Sequence, residues 1–284
     1  MEEPSIPTIS RRDSMMDTAS KMPWWFFVII LVAAYLIYGF ATDETYTEIF
    51  GFLKDGIAMT IRVTLTGYAL AVVIGLFTGL GRVSKNPILY NAATLYVNIM
   101  RGIPILVNIL YVAFVVTPPA INGINALGAW LAQIHLLGPG NALAALSVRQ
   151  VDFSIRGTIA LAISYGAFEA EIFRAGIESI GRGQMEAARS LGMSYVQAMR
   201  YIILPQAIRR VLPPLGNDFI AMLKESSLIS VLGVRDMTQL SKLYAASSFQ
   251  YLKTYTLLAV MYLTMTILLS IGVKAMERRL STND

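Results

Sequence analysis

Residues 186–205 read EAARSLGMSYVQAMRYIILP and lie between two apolar segments of the chain. The first part of this stretch consists of strong helix formers and ends at Gly192, which favours a short helix with glycine just past its C-terminus. Ser194 and Gln197 have the spacing of a capping box, which predicts that a second helix starts there. Pro205 is typical of the end of this second helix. The stretch therefore predicts a helix, a turn and a second helix.

The composition places these helices in a membrane protein. The 284 residues are 55% hydrophobic and 14% charged, whereas about a quarter of the residues of a soluble domain are charged. The chain has no cysteine, which excludes disulfides and thiolate metal sites. Its pI of about 9.4 fits basic cytoplasmic loops better than nucleic-acid binding, because the lysines and arginines are scattered between apolar segments. The fold class is therefore an all-α polytopic membrane protein.

About six segments are apolar enough to cross a bilayer, which requires roughly 20 residues per helix. Each must be helical, since lipid cannot satisfy the backbone groups of an open strand. The first follows a mixed-charge head with no small-residue cleavage site after it, so we expect no cleavable signal peptide. The predicted spans are 24–40, 56–81, 94–117, 157–177, 207–233 and 254–276, flanked by a cytoplasmic N-terminal segment 1–23 and a cytoplasmic tail 277–284.

The orientation of these spans follows from the distribution of lysine and arginine. If the N-terminus is cytoplasmic, the inner segments hold 14 of these residues and the outer segments hold 6, which is the bias expected for cytoplasmic loops. Residues 121–137 could form a seventh span, but this would place the basic 174–210 region outside. We therefore expect 118–156 to be an external loop with an interfacial or pore-capping helix. His135 is interpreted as a polar residue of that helix rather than a metal or proton site.

The EAA motif, followed after three residues by Gly192 and after nine more by I-x-L-P, resembles the EAA loop of the membrane subunits of bacterial ABC importers. Three further blocks resemble segments of the polar amino-acid permeases, of the histidine, glutamine and glutamate type. The similarity covers residues 56–276, although Gly181-Arg182 replaces the usual proline and lysine and Asn108 replaces a common glutamine. These blocks are MRGIPILV at 100–107, EAEIFRAGIESI at 169–180 and LPPLGNDFIAMLKESSL at 212–228.

The resemblance implies a five-helix importer core over 56–276 and an added N-terminal helix at 24–40. It implies a multi-pass protein of the bacterial inner membrane with both termini cytoplasmic. The implied partners are a dimer of ABC ATPase subunits, a second identical or related permease subunit, and an extracytoplasmic amino-acid-binding protein. The chain itself would be non-catalytic and would bind no cofactor, because ATP and Mg²⁺ belong to the ATPase.

In that family, the EAA loop, here 178–205, is the cytoplasmic element that docks into the ATPase. Met185, Ala188 and Leu191 recur at helical spacing and are predicted to form an apolar contact ridge. The residues predicted to couple to the ATPase are Gln184, Met185, Glu186, Ala187, Ala188, Leu191 and Gly192.

Ionisable residues at membrane depth are candidates for function because their burial there is costly. Lys224 or Arg101 could meet the carboxylate of an amino acid, and Glu169 or Glu225 could meet its ammonium group. Alternatively, these charges pair with each other and hold the helices together, as we expect for Glu171 and Arg174. The candidates for the substrate path are Arg101, Asn108, Glu169, Lys224 and Glu225.

Two other functions compete with the ABC permease. The chain could be a secondary transporter or channel for a small polar solute, with the membrane charges as an ion-coupling site. The sequence contains no convincing inverted repeat and no pair of broken helices in matching halves, which disfavours this alternative. A membrane scaffold without transport would leave the membrane charges without a role.

Overall fold

The computed structural model describes residues 24–134 and 137–281. The predicted N-terminal segment 1–23, His135 and residues 282–284 of the tail lie outside the described residues. The chain divides into two compact units, residues 1–49 and 50–284. The described part of the chain is helical and contains no strand, which confirms the all-α prediction.

The first unit contains α1 (Trp24–Thr42), which includes the predicted additional helix 24–40. Asp43 follows α1, and its side chain accepts a hydrogen bond from the backbone of Thr45 at 3.0 Å, as expected at the start of a helix. The next helix, α2 (Glu44–Leu53), begins here, and the boundary between the two units falls within it. Phe40 and Tyr46 stack with their ring centroids 5.7 Å apart.

The second unit is built from eleven further α-helices in its described part. They are α3 (Ile57–Arg82), α4 (Pro87–Gly102), α5 (Ile105–Tyr111), α6 (Thr117–Gln133), α7 (Leu137–Ala144), α8 (Phe153–Glu178), α9 (Arg182–Ser190), α10 (Tyr195–Ala198), α11 (Leu204–Glu225), α12 (Met237–Ser248) and α13 (Tyr251–Ser281). Short π-helical turns cover Val112–Val116 and Met199–Ile203, and short 3₁₀ turns cover Lys54–Gly56, Val148–Gln150 and Ser226–Leu232.

Helix α8 is the centre of this unit and packs most extensively against α3. A Cβ atom at Gly79 would lie 2.8 Å from the Cβ of Phe173 and 2.9 Å from the carbonyl oxygen of Ala170. Small residues at helix interfaces let two backbones approach closely, and this allows strong packing between membrane helices. On α3, four small residues recur at every fourth position and are buried: Gly67, Ala71, Gly75 and Gly79.

Three helical stretches of the described residues are long and apolar enough to cross a membrane: Glu44–Arg82, Ile105–Gln133 and Tyr251–Arg278. They contain or overlap three of the predicted spans. Helices α8 and α11 carry more polar and charged residues. In α8 these include Arg156 and Glu169, which are buried inside the protein. Such residues are expected on helices that face the interior of a bundle rather than lipid.

The predicted span 94–117 is not one straight helix, because the chain breaks between α4 and α5. Ile103 is extended, with φ −106° and ψ 134°, as is usual for a residue that precedes proline. Pro104 then starts α5. Asn108 bridges the break, since its side chain donates to the carbonyl of Met100 at 3.3 Å while its backbone donates to Pro104.

The predicted end of this span at residue 117 is also wrong, because the helix continues through Pro118 and Pro119 as α6. In the π-helical turn before these prolines, each backbone carbonyl accepts from the N–H five residues later. For the carbonyl of Ala113 that residue is Pro118, which has no N–H, so this carbonyl lacks its backbone donor. Arg156 donates to this carbonyl at 3.3 Å instead and lies over the ring of Phe153 at 4.6 Å. The expected external loop 118–156 therefore begins as a helix, and α7 packs back against α6.

The start of α8 is fixed by Asp152, whose side chain accepts a hydrogen bond from the backbone of Ser154 at 2.7 Å. Hydrogen bonding from the Ser154 side chain, together with this backbone bond, lowers the pKa of the Asp152 carboxyl group. The span predicted at 207–233 begins earlier, at Leu204, and its α-helix ends at Glu225. A 3₁₀ turn follows, and Gly233 closes it with φ +77°. Pro213 and Pro214 lie inside α11 without ending it.

Candidate functional site

The polar stretch that follows α8 begins as predicted, with a helix, a turn and a second helix, but the second helix does not end at Pro205. The π-helical turn Met199–Ile203 joins α10 to α11, and Pro205 lies in the first turn of α11. Gly192 has φ +84°, its N–H donates to Arg189, and the N–H of Met193 donates to Ala188. These two bonds form a Schellman motif, which ends α9 with glycine in the left-handed region. Ser194 and Gln197 form the predicted capping box at the start of α10, with bonds of 3.2 and 2.8 Å.

The residues of the predicted apolar ridge of α9 do not all face outward: two of them face the inside of the loop and one is exposed. Met185 packs with Ile180, Ile203 and Ala207, and Ala188 is only 4% exposed. These two residues face the inside of the loop, where α9 packs against α10 and the π-helical turn Met199–Ile203. Of the ridge, only Leu191 is available to a partner, at 84% exposure.

The outward side of the loop carries apolar residues that the prediction did not include. Tyr195 and Val196 of α10 are 59% and 70% exposed and follow Leu191 closely in the chain. We call Leu191, Tyr195 and Val196 the outward apolar surface. The other predicted coupling residues on the exposed side are Gln184, Glu186, Ala187 and Gly192.

Arg101, a candidate for the substrate path, takes part in an ion-pair cluster. Its guanidinium lies 3.0 Å from Glu171 and 5.5 Å from the ring centre of Phe168. Glu171 also pairs with Arg82 and, at 2.8 Å, with Arg174, so the expected Glu171–Arg174 pair is confirmed. In this structure the alternative interpretation, that membrane charges pair with each other, holds for Arg101.

Two other candidates differ in their surroundings. Asn108 is 3% exposed, and its amide is used in the bond to Met100, so it supports the break between α4 and α5. Lys224 is exposed, and no described residue forms an ion pair with it. Lys224 and Glu225 are neighbours on a helix and therefore point in directions about 100° apart.

Glu169 and Glu225 belong to a cluster of three carboxylates that includes Asp218. Asp218 lies within electrostatic reach of both Glu169 and Glu225; the hydroxyl of Tyr68 lies beside Glu169, and that of Tyr165 lies beside Glu225. We call Glu169, Asp218 and Glu225 the carboxylate cluster. Glu169 is fully buried, and neither of its carboxylate oxygens has a hydrogen-bond partner among the described residues.

Sequence reasoning missed Asp218 and the two tyrosines. The spacing of these residues could have indicated them. Asp218 and Glu225 are seven residues apart and therefore share one face of a helix, and Tyr165 and Glu169, four residues apart, do so as well. The approach of α3 to this face, which brings in Tyr68, depends on tertiary packing. Among the described residues, no three His, Asp or Glu side chains are close enough together to hold one metal ion.

Known proteins match most of this chain. The family model described as "Binding-protein-dependent transport system inner membrane component" matches residues 71–282. The glutamine transport system permease protein GlnP of Escherichia coli (strain K12) is 32% identical over 228 residues, which cover 80% of this chain and 92% of GlnP. The probable glutamine ABC transporter permease protein GlnM of Bacillus subtilis (strain 168) is 36% identical over 231 residues, with 81% and 94% covered.

A solved structure gives the same result for the fold. The "crystal structure of an amino acid ABC transporter with histidines" contains a chain that superimposes with a TM-score of 0.67 at 34% identity. The match covers 84% of this chain and 98% of that one. The chain belongs to the family of inner membrane components of binding-protein-dependent transport systems.

Proposed function

We propose that this chain is the membrane-spanning permease subunit of an ATP-driven importer for polar amino acids. Two permease subunits, identical or related, line the path through the membrane. Two ATPase subunits bind on the cytoplasmic side, and an extracytoplasmic binding protein delivers the amino acid. The chain itself binds no cofactor and catalyses no reaction, since ATP and Mg²⁺ are held by the ATPase.

The observation that carries this proposal is the geometry of the 178–205 loop. All three residues of the outward apolar surface belong to this loop, and all three are exposed to solvent. Glu186 and Arg189, on the exposed flank of α9, supply charges of both signs beside it. Exposed apolar patches of this kind with a polar rim mark protein–protein interaction sites. A secondary transporter or a channel needs no such surface.

Transport follows from the connection between the loop and the membrane helices. Helix α8 runs directly into the loop and α11 runs directly out of it, and Met185 packs between the ends of these two helices. When ATP draws the two ATPase subunits together, the loops move with them and shift α8 and α11. These helices carry the carboxylate cluster, so its exposure changes as the loops move.

ATP-driven uptake tests the function. The chain is produced together with the ATPase and the binding protein of its transport system and is reconstituted into liposomes. We expect the liposomes to take up a radiolabelled amino acid. This uptake should require the binding protein, and it should require ATP on the side of the membrane where the ATPase subunits lie. Uptake that persists without ATP and follows an imposed ion gradient would instead identify a secondary transporter.

The orientation is a separate prediction. The chain has no native cysteine, so single cysteines report accessibility without background. Exposed positions are chosen on the two sides. In cells with a permeabilised outer envelope, cysteines at Glu48, Gln150 and Gln250 should react with a membrane-impermeant thiol reagent. Cysteines at Lys85 and Ser190 should react only after the inner membrane is opened. Labelling at Ser190 from outside would contradict the proposed position of the coupling loop.

A further inference from the structure

A cavity of about 470 Å³ opens beside the first turns of α3, and two arginines line it together. Arg62 belongs to α3, Arg235 belongs to the connection before α12, and Asp55, in the 3₁₀ turn before α3, lines the same cavity. We propose that this cavity is an outer subsite for the head group of an α-amino acid, in which the arginines bind the carboxylate and Asp55 binds the ammonium group. The inference rests on the proposed function and orientation, and adds to them the place where the solute first binds the permease.

The two arginines of the cavity differ from those of the ion-pair cluster around Glu171. Arg82, Arg101 and Arg174 all pair with that carboxylate. The guanidinium groups of the cavity form no ion pair and no hydrogen bond with any described residue. Like charges on one small cavity repel each other, and an anion between them removes the repulsion. A guanidinium group binds a carboxylate through two parallel hydrogen bonds, so the pair suits a carboxylate from outside the chain.

The backbone fixes the position of Arg235. Its neighbours Val234 and Asp236 are 5% and 0% exposed, so both are anchored inside the protein, while Arg235 itself is exposed. Asp236 caps α12, since its side chain accepts from the backbone of Gln239 at 2.8 Å. Gly233 starts this segment in the left-handed region, with φ +77°. A side chain presented from an anchored backbone loses less freedom when it binds a ligand.

The two sides of the cavity are in direct contact. Gly56 lies between Asp55 and α3, and a Cβ atom at this glycine would lie 2.4 Å from the backbone nitrogen of Met237. The same nitrogen donates to the hydroxyl of Thr60 at 3.3 Å. The 3₁₀ turn and the start of α3 therefore pack directly on the start of α12. The charged residues of the cavity thus come from elements that hold each other in place.

The size and the charges of the cavity select an α-amino acid. Its volume lies within the range of small-ligand pockets, about 300–1,000 Å³. Charges of both signs line it, as a zwitterion requires. A docked protein would instead offer a side-chain carboxylate without an ammonium group beside it, and Asp55 would then repel it. Phe52, Met59 and Leu240 form an apolar wall for the side chain of the solute. The site therefore recognises the group that all α-amino acids share.

Protection of a single cysteine tests the inference at the cavity itself. Ala58 is exposed and lines the cavity, and the chain has no native cysteine. The complex of Ala58→Cys permease and ATPase, without binding protein, is treated with a membrane-impermeant thiol reagent, and labelling of this chain is followed. L-alanine is compared with propionate, which lacks its ammonium group, and with ethylamine, which lacks its carboxylate. We expect L-alanine and L-glutamine to slow labelling at similar concentrations, and propionate and ethylamine to require concentrations about tenfold higher or more.

Substitutions in the Ala58→Cys background assign the roles. Arg62→Gln and Arg235→Gln should each raise the L-alanine concentration for half-protection about tenfold or more, since each removes a charge-assisted hydrogen bond. Asp55→Asn should weaken protection by L-alanine but not by propionate. All three residues are exposed, so these variants should assemble as the wild type does. Arg149→Gln is the matched control, because Arg149 is exposed on the same proposed side and lies outside the cavity lining; it should leave protection unchanged.

Each outcome separates the subsite from the proposed function. Absence of protection by L-alanine and L-glutamine would overturn the subsite, and ATP-driven uptake by the same complex would leave the function in place. Protection in a complex without ATP-driven uptake of any amino acid would overturn the function instead. Inorganic phosphate or propionate that protects as well as L-alanine would make the cavity a general anion site, open to lipid head groups, and overturn the amino-acid assignment. Weaker stimulation of the ATPase by the binding protein in Arg235→Gln, without protection by any amino acid, would assign the arginines to the binding protein.

Discussion

Gly192→Pro should lower ATP-driven uptake at least about tenfold while the protein stays in the membrane, because proline fixes φ near −65° and has no N–H. Gly192 has φ +84°, and its N–H donates to Arg189. The substitution removes this bond and forces the chain out of the left-handed region, so the Schellman motif cannot form. Leu191 and the capping box at Ser194 lie on either side of this turn, so the outward apolar surface would lose its shape. Uptake by proteoliposomes and copurification of the ATPase are the measurements.

Gly181→Pro is the matched control in the same loop. Gly181 has φ −56°, which proline adopts readily, and a Cβ atom there would meet nothing within 4 Å. It is the residue before α9, where the loss of an N–H does not break the helix. We expect near-normal uptake from Gly181→Pro. Full uptake by Gly192→Pro would refute the coupling role of this turn, and equal loss in both variants would show only that the loop does not tolerate proline.

The loop was the most predictable part of the molecule, because local chemistry determines its form. The left-handed glycine, the capping box and the limits of α9 depend on residues within a few positions of each other, and all were found close to their predicted places. In contrast, nearby residues in the sequence do not determine which side of α9 is covered. Met185 and Ala188 have the spacing of a surface ridge, but Met185 packs with Ile180, Ile203 and Ala207, and Ala188 is buried.

The charged residues of the membrane helices were even less predictable, because their partners lie on other helices. Sequence spacing predicted the Glu171–Arg174 pair, since both residues are on one helix. It could not predict that Arg82 and Arg101, from α3 and α4, converge on the same carboxylate. The involvement of Asp218 likewise depends on how α11 packs against α8. Helix boundaries at Pro118 and Pro119 were mispredicted for a related reason, because the π-helical turn and the distant Arg156 compensate for the missing N–H groups.

Gly79→Leu should prevent assembly of a stable complex, since Gly79 lies where the backbones of α3 and α8 are in contact. A Cβ atom alone would come within 2.9 Å of the Ala170 carbonyl oxygen and within 2.8 Å of Phe173. The backbone carbonyl cannot rotate away as a flexible side chain could, so the helices would have to separate. Overpacking of this kind costs up to about 3 kcal/mol at ordinary core sites, and we expect at least that cost here. The yield of monodisperse complex and its apparent melting temperature are the measurements.

Gly272→Leu on α13 provides the matched control. Gly272 is exposed, and a Cβ atom there would meet nothing within 4 Å. Leucine is also a better helix former than glycine by about 0.5–1 kcal/mol, so this variant should assemble at least as well as the wild type. Equal yields from both variants would contradict the tight contact between α3 and α8. The same contact between α3 and α8 also positions Glu169 of the carboxylate cluster, because Gly75 of α3 lies against this residue. A Cβ atom added at Gly75 would lie 3.0 Å from the backbone nitrogen of Ala170, the next residue on α8. Loss of assembly in Gly79→Leu, with assembly retained in Glu169→Gln, would therefore separate the scaffold that holds the site from the site itself.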